Sequence, residues 1–194
     1  MQNISIIRSE NGTHPKQKST NAPITASELM KLFEDELTDI FWSEKELAKA
    51  IPNMIKNATS MELLDALIAY LGETYQQVER LAHVFESIEK KPGAKNCLVM
   101  EGLIKVAHEI MESCKAGAMC DIGIISAAQK VIHYEIVTYG TLFRYAEKLY
   151  LSEAITLLAA TLEEEKAADQ KFSEISTGNV NIDSAEIKAQ IQAQ

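Results

Sequence analysis

The residues of this sequence best suited to chemistry are glutamates that recur inside apolar helical stripes. In QKVIHYEIVTYGTL, residues 129–142, Glu135 has Val131, Ile132, Thr138, Tyr139 and Leu142 at helical spacing, with Ala128 two turns earlier. At about 100° per residue these side chains fall within roughly 60° of Glu135 on the helix wheel. A helix that buries this stripe buries a carboxylate with it. An unpaired buried charge costs roughly several kcal/mol, so the group must be paired, protonated or bound to a metal.

Other acidic groups raise the same question. Glu165 and Asp169 sit inside the stripe Ala154, Leu158, Thr161, Leu162, Ala168 and Phe172. Glu36 and Glu44 lie one turn either side of Ile40 on the stripe Leu29, Phe33, Leu37, Leu47, Ile51 and Ile55, with Asp39 at its edge. On the stripe Leu63, Leu67, Leu71, Thr74, Val78, Leu81 and Phe85, Gln77 is a flanking residue and Glu73 lies roughly 100° from the centre. Glu44, Glu73, Glu135 and Glu165 therefore fall near the midpoints of four long helices, where antiparallel packing gathers them into one layer. Gln77 and Asp169 each follow a member of that layer by one turn. Four glutamates cannot all stay ionised in a dry core without cations. Two iron or manganese ions bridged by carboxylates answer that demand, since such ions favour oxygen ligands.

Simpler partners compete with this reading. Lys45 and Lys49 stand close enough in sequence to pair with Glu44, and Tyr139, Trp42 or Tyr75 can hydrogen-bond Glu36 or Asp169. His83, His108 and His133 lack the Glu-x-x-His spacing of di-iron bundles, and His133 is roughly 160° from Glu135, facing outward.

The elements that position these groups are helices. The first starts at a hydroxyl cap, Thr25 or Ser27, with Glu28 in its first turn, and runs through a kink at Pro52 to about Ala58. The second runs from Ser60 to about Lys90 and stops at Lys91-Pro92-Gly93. A shorter segment from Leu98 to Cys114 connects to a third long helix, capped by Asp121 and ending near Leu149, in which Gly140 suggests a close helix crossing. The last runs from Ser152 to about Ile175, where Ser176-Thr177-Gly178-Asn179 stops it. Nothing reads as a strand. The pattern predicts an all-α four-helix bundle with a crossover connection carrying an additional short helix. Residues 1–24 read as a disordered leader, 25–176 as the bundle and 177–194 as a polar tail.

Composition narrows the class. The net charge of -9 disfavours nucleic acid and anionic membrane as partners. No apolar run approaches the ~20 residues of a membrane span, and the N-terminus has no signal-peptide pattern. Cys97, Cys114 and Cys120 show neither zinc spacing nor a disulfide pattern, which suits a reducing cytosol and a cytoplasmic protein.

Four blocks carry a resemblance to a known family. LFEDELTDIFWSEKELAKAIP at 32–52, GETYQQVERL at 72–81, AAQKVIHYEIVTYGTL at 127–142 and LEEEKAAD at 162–169 closely resemble the YciE/YciF family, a bacterial ferritin-like group associated with stress. Cys97, in NCLVMEGL, matches a position that this pattern often fills with cysteine. The resemblance covers about Leu29 to Ile175 and implies a ferritin-like, rubrerythrin-related bundle, usually a homodimer, with a di-metal centre and ferroxidase-like activity. Carried over by position, it supports Glu36, Asp39, Glu44, Glu73, Gln77, Glu135, Glu165 and Asp169 as metal-site residues. Two positions depart from the pattern: Ile132 stands where the family commonly has glutamate, and Tyr70 where it often has histidine. Two functional expectations follow. One is a metal-dependent oxidoreductase that oxidises Fe(II) with O2 or peroxide. The other is a metal-free dimeric helical protein that acts in stress through contacts with a protein partner.

Overall fold

The structure, a computed structural model, describes residues 23–93 and 95–179, so most of the expected leader and tail lie outside the described residues. Five helices follow in order: α1 (Ala26–Asn57), α2 (Met61–Ser87), α3 (Leu98–Ser113), α4 (Ala118–Lys148) and α5 (Ser152–Asn179). Among the described residues there is no strand, and no helix is long and apolar enough to cross a membrane.

Local chemistry sets the helix ends. Thr25 and Glu28 form a reciprocal capping box at the start of α1, which satisfies two backbone donors that would otherwise lack partners. α1 continues through Pro52, with Ile51 and Met54 buried on either side of it. Ser60 caps α2. α2 ends at Ser87, earlier than expected, because Glu89 turns left-handed (φ 56) and Lys90 N–H returns to the Phe85 carbonyl at 2.9 Å. α4 ends in the same way, with Tyr150 at φ 57 and Leu151 N–H donating to the Ala146 carbonyl at 3.0 Å.

Three expectations about the ends and turns need correction. Asp121 does not cap α4, which starts three residues earlier behind Gly117. Its carboxylate instead accepts from the backbone N–H groups of Thr59 and Ser60 at 2.8 and 2.9 Å, so it fastens the α1–α2 turn. α5 does not stop at Ser176. Ile175 is still buried, and Thr177 returns its hydroxyl to the Ser173 carbonyl without breaking the helix. Cys114 and Cys120 form a disulfide across the α3–α4 turn, where Gly117 (φ 138) reverses the chain and leaves their Cα atoms 5.3 Å apart. Cys97 remains a buried free thiol.

The long helices contact one another in a closed ring, α1 with α2, α2 with α5, α5 with α4 and α4 with α1, while α3 packs against α4 and α1. The expected close crossing at Gly140 is absent, since a Cβ there would meet nothing nearer than Arg144 Nη2 at 3.8 Å. The tight approach is at Gly123, where a Cβ would lie 2.6 Å from Ile110 Cγ2 of α3.

Two apolar clusters fill the ring. One gathers Leu47, Ile51, Leu67, Ile124, Val131, Ile132 and Phe172 toward the α1–α2 turn. The other gathers Phe33, Leu37, Leu81, Phe85, Leu142 and Leu158. Each fully buried Leu, Ile or Phe contributes about 1.5–3 kcal/mol, so these clusters hold the helices in register. Along every long helix the change from one cluster to the other falls at a polar residue, and those residues form the candidate site.

Candidate metal centre

Glu44 on α1, Gln77 on α2, Glu135 on α4 and Glu165 on α5 are all fully buried at the seam between the clusters. Two tyrosines in the same seam donate to the carboxyl groups. Tyr139 Oη lies 2.6 Å from Glu44 Oε1, and Tyr70 Oη lies 2.6 Å from Glu135 Oε2. Gln77 Nε2 donates to Glu165 Oε1 at 2.8 Å and reaches Glu164 Oε2 at 3.3 Å. Beside this layer, Arg80 holds Glu164 with two bonds of 2.7 Å and gives a further 2.7 Å bond to the Thr161 hydroxyl.

The electrostatics of the layer are one-sided. Glu44 is held well above the usual carboxylate range, first by burial and then by the charge of Glu165. Glu135 is raised in the same way, by burial and then by Glu44 and Glu165. Burial pushes Glu165 up to about 7, against the opposing hydrogen bond from Gln77. The phenols of Tyr70 and Tyr139 are raised as well, by burial and the neighbouring glutamates, so both stay protonated donors. Glu135 shifts the protonation of both Glu44 and Glu165, so the three carboxyl groups titrate as one set.

Four oxygens of this layer are buried without a hydrogen-bond donor: Glu44 Oε2, Gln77 Oε1, Glu135 Oε1 and Glu165 Oε2. Each comes from a different long helix. Buried acceptors rarely stay unpartnered, and two remedies suit these four. Protons shared among the carboxyl groups would satisfy them when no ion is bound, and an oxygen-loving cation would be the other kind of partner for such oxygens. Among the described residues, no three histidine, cysteine, aspartate or glutamate side chains are already gathered as a group able to hold an ion. A cation would draw the carboxyl groups away from one another and toward itself.

The remaining residues expected at a metal site stand elsewhere. Glu73 is half-buried on α2, raised by burial and then by Glu164, at the margin of the layer. Asp39 faces Lys95, with Nζ 2.8 Å from Oδ1 and 2.9 Å from Oδ2. Asp169 accepts from Gln129 at 3.3 Å and lies 2.9 Å from His133 Nε2, on the outer side of α4 and α5. Glu36 is half-buried on α1, two turns before Glu44. His133 points outward, as its place on the wheel predicts. The lysines near Glu44 are occupied elsewhere, Lys49 by Glu46 and Lys45 over the Phe41 ring. Tyr75 is more than half exposed and does not reach the layer.

Sequence reasoning missed two features. Tyr70 fills the same stripe as Leu63, Leu67 and Thr74, which placed it inward, but only the fold brings it to Glu135. Arg80 lies one turn after Gln77, and that spacing hinted at a cation beside the layer.

Comparison with known proteins places this chain in a family. Residues 28–185 match the family described as "Domain of unknown function (DUF892)". Protein YciF of Escherichia coli (strain K12) is 42% identical over 157 residues, which cover 78% of this chain and 95% of that protein. The crystal structure of the E. coli stress protein YciF superposes with a TM-score of 0.77 at 41% identity, covering 79% of this chain and 97% of that one. YcfI from Rhodopseudomonas palustris gives a TM-score of 0.72 at 38% identity, over 79% of this chain and 96% of that one.

Proposed function

This chain belongs to the DUF892 family, and we propose that it is a stress-associated, ferritin-like four-helix bundle, with α3 on the crossover, that binds iron or manganese between Glu44, Gln77, Glu135 and Glu165. The observation that carries this reading is the set of four buried oxygens without donors, one from each long helix. The donor set is all oxygen and suits a hard or borderline cation.

The same count favours one ion over a bridged pair. Tyr139, Tyr70 and Gln77 already occupy the second oxygen of Glu44, Glu135 and Glu165 respectively. Four free oxygens are too few for two ions of five or six ligands each, but serve one ion that keeps some water. Ile132 and Tyr70, at the two positions where the family pattern has further ligands, remove the donors a second ion would need.

A bound iron or manganese ion would supply one-electron chemistry toward O2 or peroxide, which makes Fe(II) oxidation the reaction class. The protein's own residues determine how that charge is held. A bound cation would displace protons from Glu44, Glu135 and Glu165, whose three carboxylates would exceed a divalent ion by one negative charge and balance a trivalent one, so the layer would favour the oxidised state. Tyr70 and Tyr139 fix the orientation of Glu135 and Glu44, and the Arg80–Glu164 pair steadies Gln77 and Thr161 alongside. The apolar clusters on either side keep bulk water out.

Titration of chelator-stripped protein with Mn(II), or with Fe(II) without oxygen, tests the reading. It expects one ion per chain, lost in Glu135→Gln and Glu165→Gln. No binding of either metal would sink it. The second reading, a metal-free bundle acting by protein contacts, is favoured by Ile132 and Tyr70, which stand where the resemblance implies further ligands. It expects full stability without metal and no response to added ions. Homodimerisation goes with either reading, and so does cytoplasmic residence, although the Cys114–Cys120 disulfide removes the argument from unpaired cysteines. Sedimentation of the purified chain tests the first, and cell fractionation the second.

A further inference from the structure

A groove of about 250 Å³ runs between α2 and α5 and is floored by Tyr70. Ala66, Ala69, Ala167 and Ala168 line it, and small side chains on two facing helices are what keep it open. Tyr70 is 2% exposed, and its hydroxyl is the donor to Glu135. One phenol therefore separates the groove from the carboxylate layer. The Tyr70 ring packs edge-on against Phe172, with centroids 5.9 Å apart and planes at 76°.

The groove's lining is mostly apolar, and its charged groups are mainly acidic. Asp65 and Glu73 line it, and Glu73 is near enough to Glu165 for their charges to repel. Lys171, the cation at this site, is engaged by Glu62 at 3.4 Å. The volume also matches its occupant. A divalent ion with six waters fills roughly 180 Å³ at about 30 Å³ per water, which the groove accommodates.

We propose that this groove is the path by which a hydrated divalent cation reaches the carboxylate layer, with Glu73 as the relay and Tyr70 as the gate. The proposal rests on the cation-binding reading above. Glu73 replaces part of the ion's water in the groove. Tyr70 then releases its hydrogen bond to Glu135 and keeps its proton, and the ion exchanges its remaining inner waters for carboxylate oxygens. No electrons move in this passage, and the protons displaced from the carboxyl groups leave to solvent. Glu73, first expected as a ligand, thus acts on the rate of loading and not on the occupied site.

Rapid mixing of chelator-stripped protein with Mn(II) alone, followed by quenching of intrinsic fluorescence, tests the path. Ala69 and Ala167 are exposed, so Ala69→Leu/Ala167→Leu narrows the groove without entering the core. We expect that variant to load about tenfold more slowly, with the same final stoichiometry. Glu73→Gln should load several-fold more slowly, with a weaker salt dependence and unchanged occupancy. Ala160→Leu, an exposed position on α5 that does not line the groove, should load like the original chain. Loading of both groove variants at the original rate would overturn the path and leave the cation site standing. Loss of final occupancy in Glu73→Gln would make Glu73 a ligand and overturn its role as relay. Failure of the original chain to take up Mn(II) at all would remove the cation site, and the path with it.

Discussion

The carboxylates at the surface of the helices and those at the central seam are treated differently. Outside, three half-buried carboxylates have nitrogen partners: Asp39 has Lys95, Asp169 has His133 and Gln129, and Glu164 has Arg80. Inside, Glu44, Glu135 and Glu165 have only phenols, an amide and one another. The difference teaches that the chain is able to supply cations where it needs paired charge. At the seam it supplies neutral donors and leaves one oxygen of each carboxyl group free. A structural ion-pair core would look like the outer set, and a centre that exchanges protons for a metal ion would look like the inner one.

Acid and base separate the two sets most strongly. Glu165, raised by burial from 4.5 to about 7, binds its proton more tightly in the folded chain than in the unfolded one. Its contribution is therefore full below about pH 4.5 and is lost as pH rises to about 7, and Glu44 and Glu135, raised well above the usual range, extend the loss upward. Metal-free protein should lose on the order of a few kcal/mol between pH 5 and pH 8, read as a falling Tm in calorimetry. A Tm that rises across that range without metal would mean the inner carboxyl groups are paired as the outer ones are.

Single substitutions should then act with opposite signs in the two sets. Arg80→Ala leaves Glu164 partly buried without its two-bond partner, and denaturation at pH 7 should show a loss of about 2–3 kcal/mol. Glu135→Gln exchanges a carboxyl group that burial already holds toward its protonated form for a neutral amide of the same shape, and metal-free protein should hold its stability or gain about 1 kcal/mol. Equal losses in both would erase the distinction. The two glycines of α4 make a smaller contrast of the same kind. Gly123→Ala must displace the branched methyl of Ile110 and should cost about 1–2 kcal/mol. Gly140→Ala meets only ordinary contact and should gain about 0.5–1 kcal/mol from helix propensity.

Much of this was legible in the sequence because burial is periodic. The stripes predicted Phe33, Leu37, Ile51, Leu67, Val131, Leu142 and Phe172 as core, and the same wheel put Glu44, Glu135 and Glu165 inside it. The wheel puts Asp169 inside its stripe, but packing sets it against His133 of α4, and a wheel cannot show a neighbour's side chain. Asp121 was misread for a similar reason, since a residue suited to capping its own helix served a turn more than sixty residues away. The Tyr70–Glu135 and Arg80–Glu164 pairs join helices distant in sequence, so only packing could reveal them. Gly140 and Gly123 are alike in sequence, and the close approach of α3 decides which one is needed.

The central claim is that the four free oxygens at the seam await one cation. Calorimetric melting of chelator-stripped protein at pH 7.5, with and without saturating Mn(II), tests it directly. A ligand at about a thousand times its Kd adds about 4 kcal/mol, which in a chain of this size raises Tm by on the order of 10 °C. The account predicts such a rise at one ion per chain, with none in Glu135→Gln/Glu165→Gln. An unchanged Tm with both Mn(II) and Fe(II) in the original chain would contradict it.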